Sequence, residues 1–377
     1  MISYSSLGPD LRMCDVVFAG SHDAGITEGS GPTKAQSDSI YAQATSGARF
    51  FDVRIGAFTE GNKVKLKTFH AADKLQFNKV QTVTLTREGQ APQQKIVQTM
   101  SLVPLAGAAG EGLKSILAGA LKFLLENGHE FLVLIFSKST NMDIVVNMVD
   151  RVLGSKQFGT PGPLNTKTLR QLAGHVVCVY TEANDTIRDI ASYQQIAHGA
   201  ERATSRFLHD NLFKTRAAYN DECNGIQYYG KGGLTEDISG DSEKASANAM
   251  LQRAKMLDGA AVQGCEKLLG MVYITTTGGL SSIKGRDKKL WKDKRINPLL
   301  RIWESNELVE NIQDRMPRNI NATDQSAAPD LKKFFPNIVM MDFVSMGRCQ
   351  TIFNINQQST GPLGVKTRRT LIRSAGA

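Results

Sequence analysis

The chain has 377 residues, 41% hydrophobic and 21% charged, with no low-complexity run, so it is long enough to bury one large core. No stretch approaches the roughly 18 consecutive apolar residues of a membrane span, and the segment Met1 to Asp15 carries Asp10 and Arg12 where a secretory leader is apolar. The expectation is a protein that is cytoplasmic as synthesised, meeting membranes peripherally or by a leaderless route. A net charge of +9 points to an anionic partner, nucleic acid or acidic lipid. The five cysteines, Cys14, Cys178, Cys223, Cys265 and Cys349, are odd in number and lack metal-like spacing, which argues for reduced thiols over a disulfide framework or a zinc site.

Taken in chain order, short runs rich in Val, Ile and Phe read as buried parallel strands: Val16 to Ala19, Phe50 to Arg54, Phe131 to Phe136, Val176 to Thr181, Leu269 to Thr275 and Ile338 to Phe343. Between them, Leu113 to Glu126, Asp143 to Leu153 and Pro298 to Arg315 carry apolar residues at helical spacing. This alternation predicts α/β, and the length suits a distorted (β/α)8 TIM-type barrel. Lys79 to Met100 alternates around Arg87 to Pro92 and reads as a β-hairpin inserted after the third strand. A long polar insertion at about 183–265 should hold a weak strand near Ile226 to Tyr229 and a helix around Lys244 to Asp258. Residues 1–360 are thus expected to form one barrel domain, with insertions at about 76–105 and 183–265. Residues 361–377, with Lys366, Arg368, Arg369 and Arg373, are expected to form a basic flexible tail.

Three successive strand ends carry chemistry. Ser21-His22-Asp23 follows the first strand, and Asp52 and Arg54, two apart and so on one side of the pleat, end the second. His70 ends the run Val64 to Phe69. In a barrel all would face the C-terminal mouth, and closure would bring Asp342, at the end of the last strand, within reach of His22. Asp52 reads equally as a structural carboxylate paired to Arg54 and as a direct participant. His129, His175, His198 and His209 lie on no motif and read as structural or surface residues. The run Lys284 to Arg295 reads as a mouth loop in which Trp291, flanked by Lys288, Lys289 and Lys292, could seat at an anionic lipid boundary. No nucleic-acid recognition motif is present, so a phospholipid surface is the expected partner, and the chain is expected to be a monomer.

GSHDAG at Gly20 to Gly25, AQATSGARFFDVR at Ala42 to Arg54, and His70 resemble the X-type catalytic domain of phosphatidylinositol-specific phospholipase C. The segments Gly128 to Phe136 and Ile338 to Phe343 are similar to the same family; the middle of the chain matches poorly. The resemblance implies His22 as general base on the inositol 2-hydroxyl, oriented by Asp342, and His70 as general acid on the leaving glycerol oxygen. It implies Asp23 orienting His70 or Arg54, and Arg54 neutralising the phosphoryl oxygens. Calcium-dependent members carry a carboxylate in place of Arg54 and Asn in place of Asp23, so the likeness is to the metal-free bacterial branch, with no metal and no cofactor. Lys138 resembles a substrate-binding lysine, whereas Tyr180-Thr181-Glu182 lacks the family's basic residue and puts Glu182 near the headgroup. Two other readings are a glycerophosphodiesterase, which would need a Glu-x-Asp metal pair where Asp52-x-Arg54 stands, and a non-catalytic barrel binding lipid headgroups. Retention of both histidines argues against the latter.

Overall fold

The computed structural model describes residues 1–61, 63–71, 76–87, 90–102, 107–137, 139–159, 164–180, 207–208, 213–214, 226–228, 269–275, 282–292 and 337–359. Strand β1 (Phe18–Ser21) is followed by helix α1 (Ile40–Ser46) and β2 (Phe50–Val53). Then come β3 (Ile55–Glu60), β4 (Lys63–His70), β5 (Gln76–Arg87), β6 (Gln90–Leu102) and β7 (Ala108–Gly112). Next are α2 (Leu113–Glu126), β8 (Leu132–Phe136), α3 (Met142–Leu153), α4 (Leu169–Leu172) and β9 (Val176–Tyr180). The second half gives β10 (Phe207–Leu208), β11 (Phe213–Lys214), β12 (Ile226–Tyr228), β13 (Leu269–Ile274), α5 (Ile283–Lys292), β14 (Ile338–Met341) and α6 (Met346–Ser359).

Nine of the strands form one sheet in the order β10-β9-β8-β2-β1-β14-β13-β12-β11, and every pairing in it is parallel. The described central strands are buried throughout, as in β8 and β14, which is why they read as unbroken apolar runs. Pairing of β1 with β14, Ser21 opposite Met341, joins the two ends of the chain as expected. The sheet departs from an eight-stranded barrel: nine strands take part, and among the described residues β10 and β11 stand at its two edges with no pairing between them.

A second departure matters more for function. The strand ending in His70 does not belong to the parallel sheet; β4 lies in a separate five-stranded sheet of order β5-β6-β3-β4-β7. Its sequence KVKLKTFH alternates polar and apolar, the pattern of an antiparallel strand wet on one face, whereas β8, β9 and β14 of the nine-stranded sheet are near-continuous apolar runs. The chain leaves the parallel sheet at Arg54, runs out along β3 and returns antiparallel along β4, Ile55 opposite Thr68. The predicted hairpin is present as β5 and β6, longer than expected and paired from Gln76↔Leu102 to Arg87↔Gln90. The run read as a basic mouth loop is instead helical over α5. The predicted helices at 244–258 and 298–315, and the tail, lie outside the described residues.

Helix α1 is begun by Ser39, whose side chain accepts from Ala42 N–H, and ended by Gly47 in the left-handed region at φ +117°. α2 buries Leu113, Ile116, Leu117, Ala120, Phe123 and Leu124, the stripe its spacing predicts. At the N-terminal end of the sheet, Phe18 packs on Phe50 and Phe131 at centroid separations of 5.4 and 5.6 Å. Beneath them Arg49, fully buried, donates Nε to Glu130 Oε2 at 2.9 Å and its other nitrogens to the carbonyls of Ala44, Ala48 and Ile2. Glu130 Oε1 accepts from Ser3 Oγ at 2.6 Å and Ser5 N–H at 3.2 Å, so the pair anchors the N-terminus to the sheet. Burial alone would raise Glu130's pKa, but Arg49 and these donors leave it below the usual range. Breaking one partner of a buried pair strands the other, which typically costs about 3–5 kcal/mol. Glu130→Gln should therefore lower unfolding free energy by about that amount in urea melts, and an effect under about 1 kcal/mol would show the pair to be dispensable.

Candidate active site

All the site's side chains hang from strand ends or from the crossing between the two sheets. His22 directly follows β1, and its N–H bonds the Met341 carbonyl at 3.0 Å, extending the β1–β14 pairing by one residue. Asp23 then turns at φ +45°, a backbone region an aspartate tolerates better than most residues. The chain continues through Ala24, whose N–H meets the Asp52 carbonyl at 2.8 Å, to Gly25. Gly25 passes between the two sheets: a Cβ there would lie 2.4 Å from Thr68 Cγ2, and one on Gly110 would lie 2.1 Å from the Gly25 carbonyl oxygen. These two glycines let β4 and β7 approach the loop after His22 closely enough for His70 to meet Asp23.

Asp23 is the hub. Its Oδ2 lies 2.6 Å from His70 Nδ1 and 3.3 Å from His22 Nε2, and its Oδ1 is 3.3 Å from Arg54 Nε. On the other side of His22, Nδ1 lies 2.8 Å from Asp342 Oδ1. A carboxylate only accepts, so this contact selects the ring form with the proton on Nδ1. Arg54 Nη2 is 4.0 Å from Asp52 Oδ2, and Asp52 Oδ1 accepts from Ser137 Oγ at 2.5 Å. Burial alone would raise Asp23's pKa, but Arg54, His22 and His70 outweigh it and hold the carboxyl well below its usual range. The side chains of His22, Asp23 and Asp342 are fully buried, while those of His70 and Arg54 are 18% and 15% exposed. Solvent therefore reaches the cluster at His70 and Arg54.

His22, Asp23 and Asp52 present ligand atoms within 4.8 Å of one another, the spacing of a cation site. The Arg54 guanidinium already lies against both carboxylates, so a divalent ion there would face a fixed positive charge.

Of the residues singled out from sequence, His22, His70, Arg54, Asp23, Asp52 and Asp342 come together. Lys138 and Glu182 lie outside the described residues. On α5 the described side chains of Lys284 and Lys288 are exposed. The side chains of Lys289 and Lys292 lie outside the described set. Trp291, expected at a membrane boundary, is instead partly buried, packed against the main core with its ring 4.7 Å from the Arg348 guanidinium.

Three residues went unread. Ser137 follows β8 as His22 follows β1, and that position was its signal. Gln36, fully buried, donates to the carbonyls of His22 and Met341 at 2.7 and 3.1 Å, and it accepts from Val344 N–H at 2.9 Å. It thereby ties the loops after β1 and β14 together. Tyr273 on β13 stands edge-on to the His22 ring at 5.5 Å.

Fold and site together define an α/β protein with a His-Asp-Arg cluster where the C-terminal strand ends of its parallel sheet meet the end of β4 from the second sheet. No family model and no curated protein matches the sequence. Solved structures do match the fold. The phosphatidylinositol-specific phospholipase C of Listeria monocytogenes aligns over 94% of this chain and 96% of its own at 13% identity, with a TM-score of 0.50. A structure of the phosphatidylinositol-specific phospholipase C of S. aureus aligns over 93% and 96% at 13% identity, with a TM-score of 0.51. At that identity the likeness is one of fold.

Proposed function

We propose that this chain is a metal-independent phosphodiesterase that cleaves phosphatidylinositol-type phospholipid to diacylglycerol and cyclic inositol phosphate. The observation that carries this reading is the pair of histidines joined through one carboxylate, with Arg54 on that same carboxylate. His22, held by Asp342, takes the proton of the inositol 2-hydroxyl as that oxygen attacks phosphorus. His70 gives its proton to the glycerol oxygen as the phosphorus–oxygen bond breaks, and Arg54 meets the charge gathering on the phosphoryl oxygens. With Nδ1 held by Asp342 at 2.8 Å, Nε2 is the ring nitrogen that would take this proton. A fold shared with two phosphatidylinositol-specific phospholipases C supports the same chemistry. The exposed Lys284 and Lys288 would face anionic headgroups, each cation near such a surface contributing about 1 kcal/mol.

The test is release of diacylglycerol from vesicles of phosphatidylinositol, wild type beside His22→Ala, with and without EDTA and at low and high salt. The wild type should turn over equally in EDTA and slow with added salt, and the variant should be about 10² to 10⁴ slower. Activity abolished by EDTA and restored by calcium would overturn the metal-free assignment. Equal activity in His22→Ala would overturn the site.

A further inference from the structure

The loop that delivers Asp342 is fastened by residues outside the His-Asp-Arg cluster. After β14 the chain turns through Asp342 and Phe343, and Phe343 takes φ +45°, a conformation a bulky L-residue rarely adopts unless its surroundings impose it. Phe343 N–H reaches the Ala35 carbonyl at 2.8 Å. The strongest fastening comes from Arg348 in the first turn of α6. Its Nη1 donates to the carbonyls of Asp342 and Phe343 at 2.7 and 2.9 Å, and its Nη2 donates to Asp287 Oδ2 at 2.7 Å. Asp287 is 1% exposed, and its helix also brings Trp291 under the guanidinium. On α5, residues Ile283, Asp287 and Trp291 are spaced four apart and share the inward face, while Lys284 and Lys288 point outward. A planar fork that must meet two carbonyls, one carboxylate and one ring face at once suits arginine and not lysine.

We propose that Arg348 is a positioning residue for His22: it fixes the Asp342–Phe343 turn so that the Asp342 carboxylate meets His22 Nδ1, with Asp287 and Trp291 of α5 aiming the guanidinium. This rests on the reading of His22 as the base. Asp342 reaches the ring with its side chain while Arg348 grips its main chain, so loosening Arg348 lets the carboxylate drift without touching substrate. Trp291 thereby gains a role in the turn that holds the base.

The experiment compares Arg348→Met, Arg348→Lys, Asp287→Asn and Asp342→Asn, and the Arg348→Met/Asp342→Asn double variant. Two readouts are used. The first needs no substrate: the downfield proton resonance of the His22 Nδ1–H, assigned by its absence in His22→Ala. It should move or broaden in Arg348→Met, and to a lesser degree in Asp287→Asn. The second is turnover of a water-soluble inositol phosphodiester. Here kcat should fall about 10- to 100-fold in Arg348→Met with KM within about twofold, lysine should restore little, and the double variant should be no slower than Asp342→Asn alone. An unmoved resonance in a variant with wild-type circular dichroism, or losses that multiply in the double variant, would overturn the proposal. Should Arg348→Met fail to fold, Asp287→Asn and Arg348→Lys decide by the same two readouts. Should the wild type not turn over the inositol ester, the functional reading fails and the resonance alone decides the positioning role.

Discussion

Replacing either His22 or His70 by alanine should lower turnover of phosphatidylinositol by about 10² to 10⁴, the usual span for a general acid or base, and phosphorus NMR of the wild type should show a cyclic phosphodiester before any acyclic monophosphate. The order of products follows from the site. Arg54 occupies the space between Asp23 and Asp52, so on this reading no metal-bound water is at hand to attack. The nucleophile then comes from the substrate, where a neighbouring hydroxyl is held beside phosphorus at high effective concentration. His22, fully buried and backed by Asp342 at 2.8 Å, is placed to take that hydroxyl's proton, and His70, at the solvent side, to protonate the leaving alcohol. One group must act as base and the other as acid, so the pH–rate profile should be bell-shaped, and each single variant should lose one limb. Direct appearance of the monophosphate, or efficient cleavage of an ester lacking a neighbouring hydroxyl, would count against the scheme.

The parallel strands were legible because strands buried on both faces read as apolar runs, and β1, β2, β8, β9, β13 and β14 all appear near their predicted positions. His22 and Arg54 were legible because each directly follows such a strand. His70 was identified correctly as coming near them, but its element was misread. KVKLKTFH is a period-two pattern, and reading it as one more barrel strand hid the second sheet that brings His70 to Asp23. The basic run before Arg295 was read by its charge, although Ile283, Asp287 and Trp291 recur at helical spacing on one face. The contact of Asp287 with Arg348 left no trace in sequence, because the two residues lie on different helices, and only β14's position beside β13 brings them together. Gln36 is similar: a single buried amide joining two loops has no spacing to betray it.

Asp23→Asn should lower turnover about as much as loss of either histidine, by about 10² to 10⁴, while preserving the backbone, since asparagine also tolerates the φ of +45° found there. The variant keeps the volume and removes the one charge that His70, His22 and Arg54 share. Without it the largely buried Arg54 keeps, among the described residues, only Asp52, at 4.0 Å, as a carboxylate partner, so the folded state should also weaken at neutral pH. The pH dependence of that loss has a definite sign. Asp23's carboxyl is held well below its ordinary value of 3.8 because Arg54 and the histidines outweigh the effect of burial. It therefore stays ionised in the folded protein at pH values where the unfolded chain already takes up the proton. Its contribution to stability is complete above the unfolded value and drains away as pH falls below that value through the folded one. The gap in unfolding free energy between wild type and Asp23→Asn should thus be widest near pH 7, hold down to about pH 5, and close as the solution is acidified below about pH 4. Urea melts of both proteins across that range measure it directly. A gap that persists unchanged at low pH would mean that the loss comes from altered packing and that the carboxylate's charge is not what holds the two histidines and Arg54 together.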